Sequence, residues 1–319
     1  MTLRLLIIAT LALLIGLWHL GSGGQSWSLI PQSTLDHYIL EQIRLPRFML
    51  ALLNGVALGI AGSVLQLLLR NPLAEPGITG IAGGAAVATV ITLYWGAVSP
   101  VVWWLPFIGM AGGLITLALL WVFAGSQPRG IRIILVGVAL AAISGALIAV
   151  VLNLAPNPFA FQEWALWLMG SVANRGWAYV WLMIPAVALA IVLLVSQRRY
   201  LQAQVFDEVT VQTLGFHEGR SKFLLLLAVA LLVSASVVTA GIIGFIGLVA
   251  PHVVRLLGVN RPLPLVIFSG IVGGILLVAV DALVKSVDTR VELQLGVVIA
   301  LLGAPWLLVL LTKQENRDA

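Results

Sequence analysis

The sequence predicts an all-α, polytopic integral membrane protein, and three observations carry that reading. Of its 319 residues, 61% are hydrophobic and 9% are charged, against about 25% charged in an average soluble domain. Mean hydropathy is +1.10. The apolar runs also recur at the length one hydrocarbon thickness requires, about 20 residues at 1.5 Å each. About ten such spans fit, so residues 1–319 form a single transmembrane domain with no long soluble domain left over.

Breaking the runs at charges, Pro and Gly places spans at 3–20, 48–69, 77–95, 103–124, 133–152, 178–195, 223–240, 246–258, 263–282 and 295–312. The first has a signal peptide's length. Trp18-His19-Leu20 ends it without a small-x-small cleavage site, so it is read as a retained helix. The second follows I-R-L-P-R at 43–47, where Pro46 marks a rigid turn. Gly55, Gly59 and Gly62 recur along it at helical spacing, as do Gly137 and Gly145 along the fifth; small residues let helices approach closely. The segment N-P-L-A-E-P-G at 71–77 closes the second span in a Pro-bearing turn.

The eighth span is short. A bend is predicted in Gly241–Gly247, inside the bundle, because irregular backbone survives at membrane depth only where protein or a water-filled cavity satisfies its polar groups. Ten spans put both termini on one side. Five of the 17 basic residues, Arg44, Arg47, Arg175, Lys285 and Arg290, then fall on the opposite side. Under the positive-inside rule both termini are therefore cytoplasmic. Indoles at Trp18, Trp27, Trp95, Trp103, Trp104, Trp164, Trp167, Trp177 and Trp181 sit near the outer ends, as interfacial anchors do. The net charge of +5 thus belongs to loops and is no nucleic-acid signature.

Little in the spans can do chemistry. Acids and bases at membrane depth are rare and are the working parts of ion-coupled carriers. Only His252 and Asp281 come close, both near helix ends, where a hydrogen-bonded terminus explains them equally well. With no cysteine, disulfides, thiolate catalysis and Cys-ligated metals are excluded. The phosphate-cradling G-x-x-x-x-G-K-[ST] loop is absent, so no catalytic, metal or nucleotide site is expected, and any ATP that drives transport is hydrolysed by another subunit.

The longest cytoplasmic segment, 196–222, is where such a subunit would dock. An amphipathic stretch from 204 to 214 is read as one helix with Val205, Phe206 and Val209 on its apolar face, Asp207, Glu208 and Gln212 on its polar face, and Gly215 ending it. The acidic pair argues against a helix lying on lipid, whose polar face is usually basic. On the outer side two readings of Arg44 and Arg47 stand: interfacial anchors that snorkel, or bidentate donors to carboxylates of a docking protein.

Together, R-L-P-R, the G-x-x-L-x-x-A-G-x-x-L-Q run, N-P-L-A-E-P-G, G-F-I-G-L-V-A-P-H-V-V-R and a late L-G-A-P-W resemble the FecCD-type permeases of ABC importers for ferric siderophores, haem and cobalamin. The resemblance runs from about residue 43 to 312. It implies the type II importer permease fold with ten helices, a second permease subunit, most simply an identical copy, two cytoplasmic ATPases that use ATP and Mg, and a periplasmic or lipid-anchored substrate-binding protein. It implies that Arg44, Arg47 and Lys285 meet acidic residues of that binding protein, and that 204–218, with Leu214-Gly215, forms the coupling helices docked on the ATPase. It places the chain in a bacterial cytoplasmic (inner) membrane. Two departures stand out: S-Q-P-R-G-I at 126–131 lacks the family's small Ser/Thr-rich constriction, and Gln294 replaces a proline after Glu292-Leu293.

The reading is a permease without catalytic residues, importing a ferric siderophore or related iron chelate, with cobalamin or haem as alternatives. Asn54, Gln66, Asn153 and Gln162 are the candidate path-lining amides, with helix capping as their alternative role. The rival of another class is a proton-coupled secondary carrier built on Asp281.

Overall fold

A computed structural model of the chain describes residues 2–22, 31, 33–96, 104–125, 129–287 and 293–305. Among them every regular element is a helix: α1 (Thr2–Gly21), α2 (Thr34–Ile39), α3 (Leu45–Leu69), α4 (Ile81–Gly96), α5 (Leu105–Ala124), α6 (Gly130–Asn153), α7 (Pro158–Leu168), α8 (Trp177–Ser196), α9 (Arg198–Ala203), α10 (Glu208–Thr213), α11 (Glu218–Ala240), α12 (Ile246–Leu256) and α13 (Pro262–Ser286), then α14 (Leu295–Pro305). Six are long and apolar enough to cross a membrane: the stretch from α2 through α3, α5, α6, α8, α11 and α13. Four shorter apolar helices, the end of α1, α4, α12 and α14, complete the expected ten. Trp27, Trp103, Arg290, Glu292, Trp306 and residues 126–128 lie outside the described residues.

Two helices form the centre. The most apolar window of α11 is 83% buried and that of the α2–α3 stretch 72%, against 22% for α6 and 33% for α5 and α8. The inner packing is backbone against backbone. α13 lies along α3, and α12 packs on both. A Cβ added at Gly55 would stand 2.3 Å from the Gly273 carbonyl oxygen, one at Gly59 2.1 Å from that of Ser269, and one at Gly62 1.9 Å from that of Gly247. Glycine is required there because no side-chain carbon fits; this is the close approach expected of small residues in a membrane bundle. Gly137 makes the same kind of contact, 2.3 Å from the Ile78 carbonyl oxygen, whereas a Cβ at Gly145 meets nothing within 4 Å.

Three local features differ from the sequence reading. The R-L-P-R segment is no turn: α2 runs through a π turn, Leu40–Arg44, straight into α3. Leu45 N–H reaches back five residues to Leu40 O. This wider turn accommodates Pro46, whose ring would otherwise press on the carbonyl four residues earlier. Second, 153–177 holds the short helix α7, started by Asn157, whose side chain accepts from the Ala160 amide. Third, the 204–214 stretch is divided: α9 ends at Ala203, a turn follows, and α10 starts at Glu208.

The predicted bend is present. α11 stops at Ala240, Gly241 takes φ 74°, and Phe245, in the left-handed region at φ 63°, precedes α12. Protein groups satisfy this irregular backbone. The Ser171 amide donates to Ala240 O at 2.7 Å, Ile242 N–H donates to Leu168 O at 3.3 Å, and the Glu75 carboxylate accepts from Phe245 N–H at 3.2 Å. Gly241 is obligatory for a second reason: a Cβ there would lie 2.2 Å from Trp167 O.

Candidate functional site

Candidate residues gather at the two ends of the bundle and in its interior. At the end where α1 and α13 finish, Asp281 has no exposed surface. Its Oδ2 accepts from Arg47 Nε at 2.8 Å and its Oδ1 from Arg47 Nη2 at 2.8 Å, a bidentate fork that lysine could not reproduce. The His19 ring, also fully buried, brings Nε2 to 2.7 Å from Asp281 Oδ2 and stands edge-on to Phe48. With a carboxylate as acceptor, Nε2 carries the proton.

The other two expected docking cations reach the same place. Arg44 Nη1 donates to Leu20 O at 2.9 Å, and Lys285 Nζ to His19 O at 2.7 Å. Both carbonyls belong to the last turn of α1, whose C-terminal oxygens lack intrahelical partners and carry the negative end of the helix dipole. Arg44, Arg47 and Lys285 therefore do converge, and in this structure all three hold α1 against α3 and α13.

At the opposite end the segment 196–222 turns apolar residues both inward and outward. Tyr200, Leu201, Ala203 and Val211 point inward and join the core. Val205, Phe206, Val209 and Leu214 point outward, 66%, 52%, 69% and 53% exposed. The predicted apolar face exists, but Val205 and Phe206 sit in the turn before α10 and only Val209 is on the helix. Gly215, at φ 79°, follows the cap of α10 and ends that helix as expected. Asp207, Glu208 and Gln212 are exposed. The Thr210 hydroxyl donates to the Asp207 carboxylate, and that bond holds its pKa below the ordinary carboxylate range. Burial, helped by the Glu218 carboxylate, pushes the Tyr200 phenol up.

This segment is tied to the bundle by charge. Lys222, buried at the start of α11, places Nζ 2.6 Å from Glu218 and 3.6 Å from Glu208. Gln212 donates to Glu218 at 3.3 Å. Arg70, which ends α3 in the left-handed region at φ 50°, donates from Nη2 to Phe206 O at 2.7 Å.

The four amides part company. Asn54 is buried on α3, donating to Leu50 O and accepting from Thr239 Oγ1 at 3.3 Å. Gln66 is also buried; its Oε1 accepts from Arg255 Nη1 at 2.7 Å and its Nε2 reaches Gly247 O at 3.4 Å. Both stitch helices of one chain together. Asn153 bonds its own helix at Ala149 O, and it and Gln162 are exposed.

Residues 4–313 match the FecCD transport family. The chain belongs to this family. It is 37% identical over 292 residues to the iron-uptake system permease protein FeuC of Bacillus subtilis, covering 88% of this chain and 85% of that one. It is 38% identical over 310 residues to the vitamin B12 import system permease protein BtuC of Vibrio cholerae, covering 95% and 91%. Among solved structures it is similar to an inward-facing ABC transporter assigned to the metal-chelate type, with TM-score 0.89, 28% identity and coverage of 98% of this chain and 100% of that one. This FecCD chain is a multi-pass inner-membrane transport protein.

Sequence reasoning missed His19 as a partner of Asp281, and Arg70 and Lys222 as anchors of the 196–222 segment. A signal for the first was present: a lone acid near a helix end inside a membrane bundle needs a partner, and His19 and Arg47 both sit at span ends of matching depth. Nothing in the sequence marks Arg70, whose bond goes to a backbone carbonyl.

Proposed function

We propose that this chain is the membrane permease subunit of an ATP-binding-cassette importer that moves a ferric siderophore or related iron chelate across the cytoplasmic membrane. It works with a second permease, most simply an identical copy, with two cytoplasmic ABC ATPases and with an external substrate-binding protein. The chain supplies no nucleotide or metal chemistry; ATP and Mg are used by the ATPases. Both termini and the 196–222 segment face the cytoplasm, in keeping with the distribution of basic residues.

The observation that carries this reading is the outward apolar face at Val205, Phe206, Val209 and Leu214. It stands on a segment whose other side is anchored in the core and tied by Lys222 and Arg70. A contiguous exposed apolar patch marks a surface for another protein or for lipid, and here the flanking Asp207 and Glu208 disfavour anionic lipid. ATP binding by the partner would pull on this segment and alternate the bundle between inward- and outward-open states.

At the other end Arg44, Arg47 and Lys285 serve as the docking positions for the binding protein, whose carboxylates would share guanidinium and ammonium hydrogens with the α1 carbonyls and Asp281. Asn153 and Gln162, on exposed surface, are path-lining positions toward the second copy, whereas Asn54 and Gln66, buried and bonded between helices of this chain, serve its packing. The relatives' functions, iron uptake for FeuC and vitamin B12 import for BtuC, define the ligand classes to be tested.

The test is uptake of labelled ferric siderophores, cobalamin and haem in cells that express this chain with its ATPase and binding protein, beside a hydrolysis-dead ATPase. Iron chelate uptake that vanishes in the control is expected. Uptake of cobalamin or haem alone would move the substrate assignment. Uptake that survives in the control and collapses on Asp281→Asn would replace the importer by a proton-driven carrier.

A further inference from the structure

The connection between α3 and α4, residues 70–80, contains N-P-L-A-E-P-G and does more than join two helices. At its start Arg70 Nη2 donates to Phe206 O at 2.7 Å, in the turn that presents Val205 and Phe206. From there the chain climbs back into the bundle. Pro76 lies against Gly247, so close that a Cβ on Gly247 would be 2.7 Å from the Pro76 ring, and Gly247 in turn touches Gly62. Gly62 is eight residues before Arg70, about 12 Å deeper along the helix. At that depth Glu75 Oε2 accepts the Phe245 amide at 3.2 Å, the last residue of the glycine bend and the N-cap of α12.

The connection is also rigid. Asn71 N–H donates to Gln66 O and Ala74 N–H to Asn71 O, the Asn71 side chain accepts from Leu73 N–H at 2.9 Å, and Thr79 Oγ1 donates to Pro76 O at 2.7 Å. On its outer side Ile78 and Gly80 press on α6: a Cβ at Gly137 would stand 2.3 Å from Ile78 O, and one at Gly80 2.9 Å from Ala141 N. A stiff element fixed at both ends moves as a body, because close-packed interiors transmit displacement rather than absorb it. Arg70 is held in the left-handed region at φ 50°, a conformation a non-glycine residue keeps where its surroundings over-determine it.

We propose that residues 70–80 form a mechanical tie between the ATPase-docking segment and the α11–α12 bend, with Arg70 and Glu75 as its two positioning residues. A shift of the Phe206 turn would be carried through Arg70 into the connection and delivered through Glu75 to Phe245, re-aiming α12 and its neighbours α3 and α13. The tie rests on the importer reading above, since it assigns the Phe206 turn as the place where force enters.

The experiment uses the full complex of permease, ATPase and binding protein in proteoliposomes, and reads ligand transported per ATP hydrolysed for wild type, Arg70→Met, Glu75→Ala, Glu75→Gln and the Arg70→Met/Glu75→Ala pair. Arg70→Met and Glu75→Ala should each lower that ratio by about 2- to 30-fold, the range that residues along a coupled network produce, while ATP hydrolysis continues. The pair should be no worse than the poorer single variant, because both break one tie. Glu75→Gln keeps an acceptor for Phe245 N–H and should recover most of the loss seen with alanine. Hydrogen exchange in the same samples supplies a second readout: Arg70→Met should speed exchange of 242–247, which it does not touch. A wild-type ratio in both single variants, multiplicative losses in the pair, or unchanged exchange at 242–247 in Arg70→Met would overturn the tie. If wild type itself shows no ATP-driven uptake, the importer reading falls and takes the tie with it.

Discussion

Around Asp281 the chain buries charge, and around Phe206 it exposes hydrocarbon. The Asp281 carboxylate is held by two bonds from Arg47 and one from His19, with no surface left to solvent or lipid. The Phe206 turn and α10 show half or more of Val205, Phe206, Val209 and Leu214, while behind them Lys222 is paired with Glu218 of α11 and lies 3.6 Å from Glu208 of α10. The difference teaches how each end can meet a partner. The buried carboxylate has both oxygens satisfied within the chain, so a protein docking there would share the cations that already hold it, whereas an uncovered apolar face offers its area to a partner directly.

The sharpest way to break this comparison is to unpair the buried charge. Asp281→Ala leaves Arg47 mostly buried without its counter-ion and should destabilise the protein by about 3–5 kcal/mol, whereas the Asp281→Leu/Arg47→Met pair should cost less than either single change. Thermal unfolding of the purified protein in detergent measures both. If Asp281→Ala unfolds like wild type, the cluster is not what fastens α1. At the opposite end Lys222→Gln removes the 2.6 Å contact to Glu218 and should cost about 1–3 kcal/mol, as for a hydrogen bond involving a charge, read in the same assay. Glu208 is nearly half exposed and 3.6 Å from Lys222, so Glu208→Gln should cost under about 1 kcal/mol.

Changes on the uncovered face should separate stability from function. Phe206→Ser and Val209→Ser, at surface positions, should alter unfolding by no more than about 0.5 kcal/mol, yet release the ATPase when the complex is purified. Retention of the ATPase by the doubly substituted chain would remove this face from the docking surface. The smallest expected effect is at Asp207. Its carboxylate pKa is lowered by the Thr210 hydroxyl, so its support for the start of α10 is fully present above the unfolded carboxylate value of about 4. That support fades as pH falls through the lowered folded value. Faster amide exchange over 208–213 in acid, absent in Asp207→Asn, checks the sign.

Much of this architecture was legible in the residues. Span count, the bend after Ala240 and the glycine contacts on α3 follow from hydropathy and from where a Cβ is missing, because a membrane helix must satisfy its own backbone and can approach a neighbour only where side chains are small. The helix through R-L-P-R was not legible, since a proline usually stops a helix and only the π turn before it lets the chain continue. The division of 204–214 was hidden for a related reason: Val205 and Val209 repeat at helical spacing, while the buried Tyr200, Leu201 and Val211 that anchor the segment lie on the other face.

By itself the sequence determined that the chain is a bundle of about ten apolar helices, with charge kept to the ends and two glycine- and proline-broken segments between them. Those properties are local, set by the solvent each stretch must live in. Only the tertiary structure decided that His19, Arg47 and Asp281, up to 262 positions apart, share one buried cluster. It alone put Arg70 on the carbonyl of Phe206 and Glu75 on the amide of Phe245. Such pairings depend on which helices lie side by side, and a bond to a backbone atom leaves no mark on the identity of the residue that receives it.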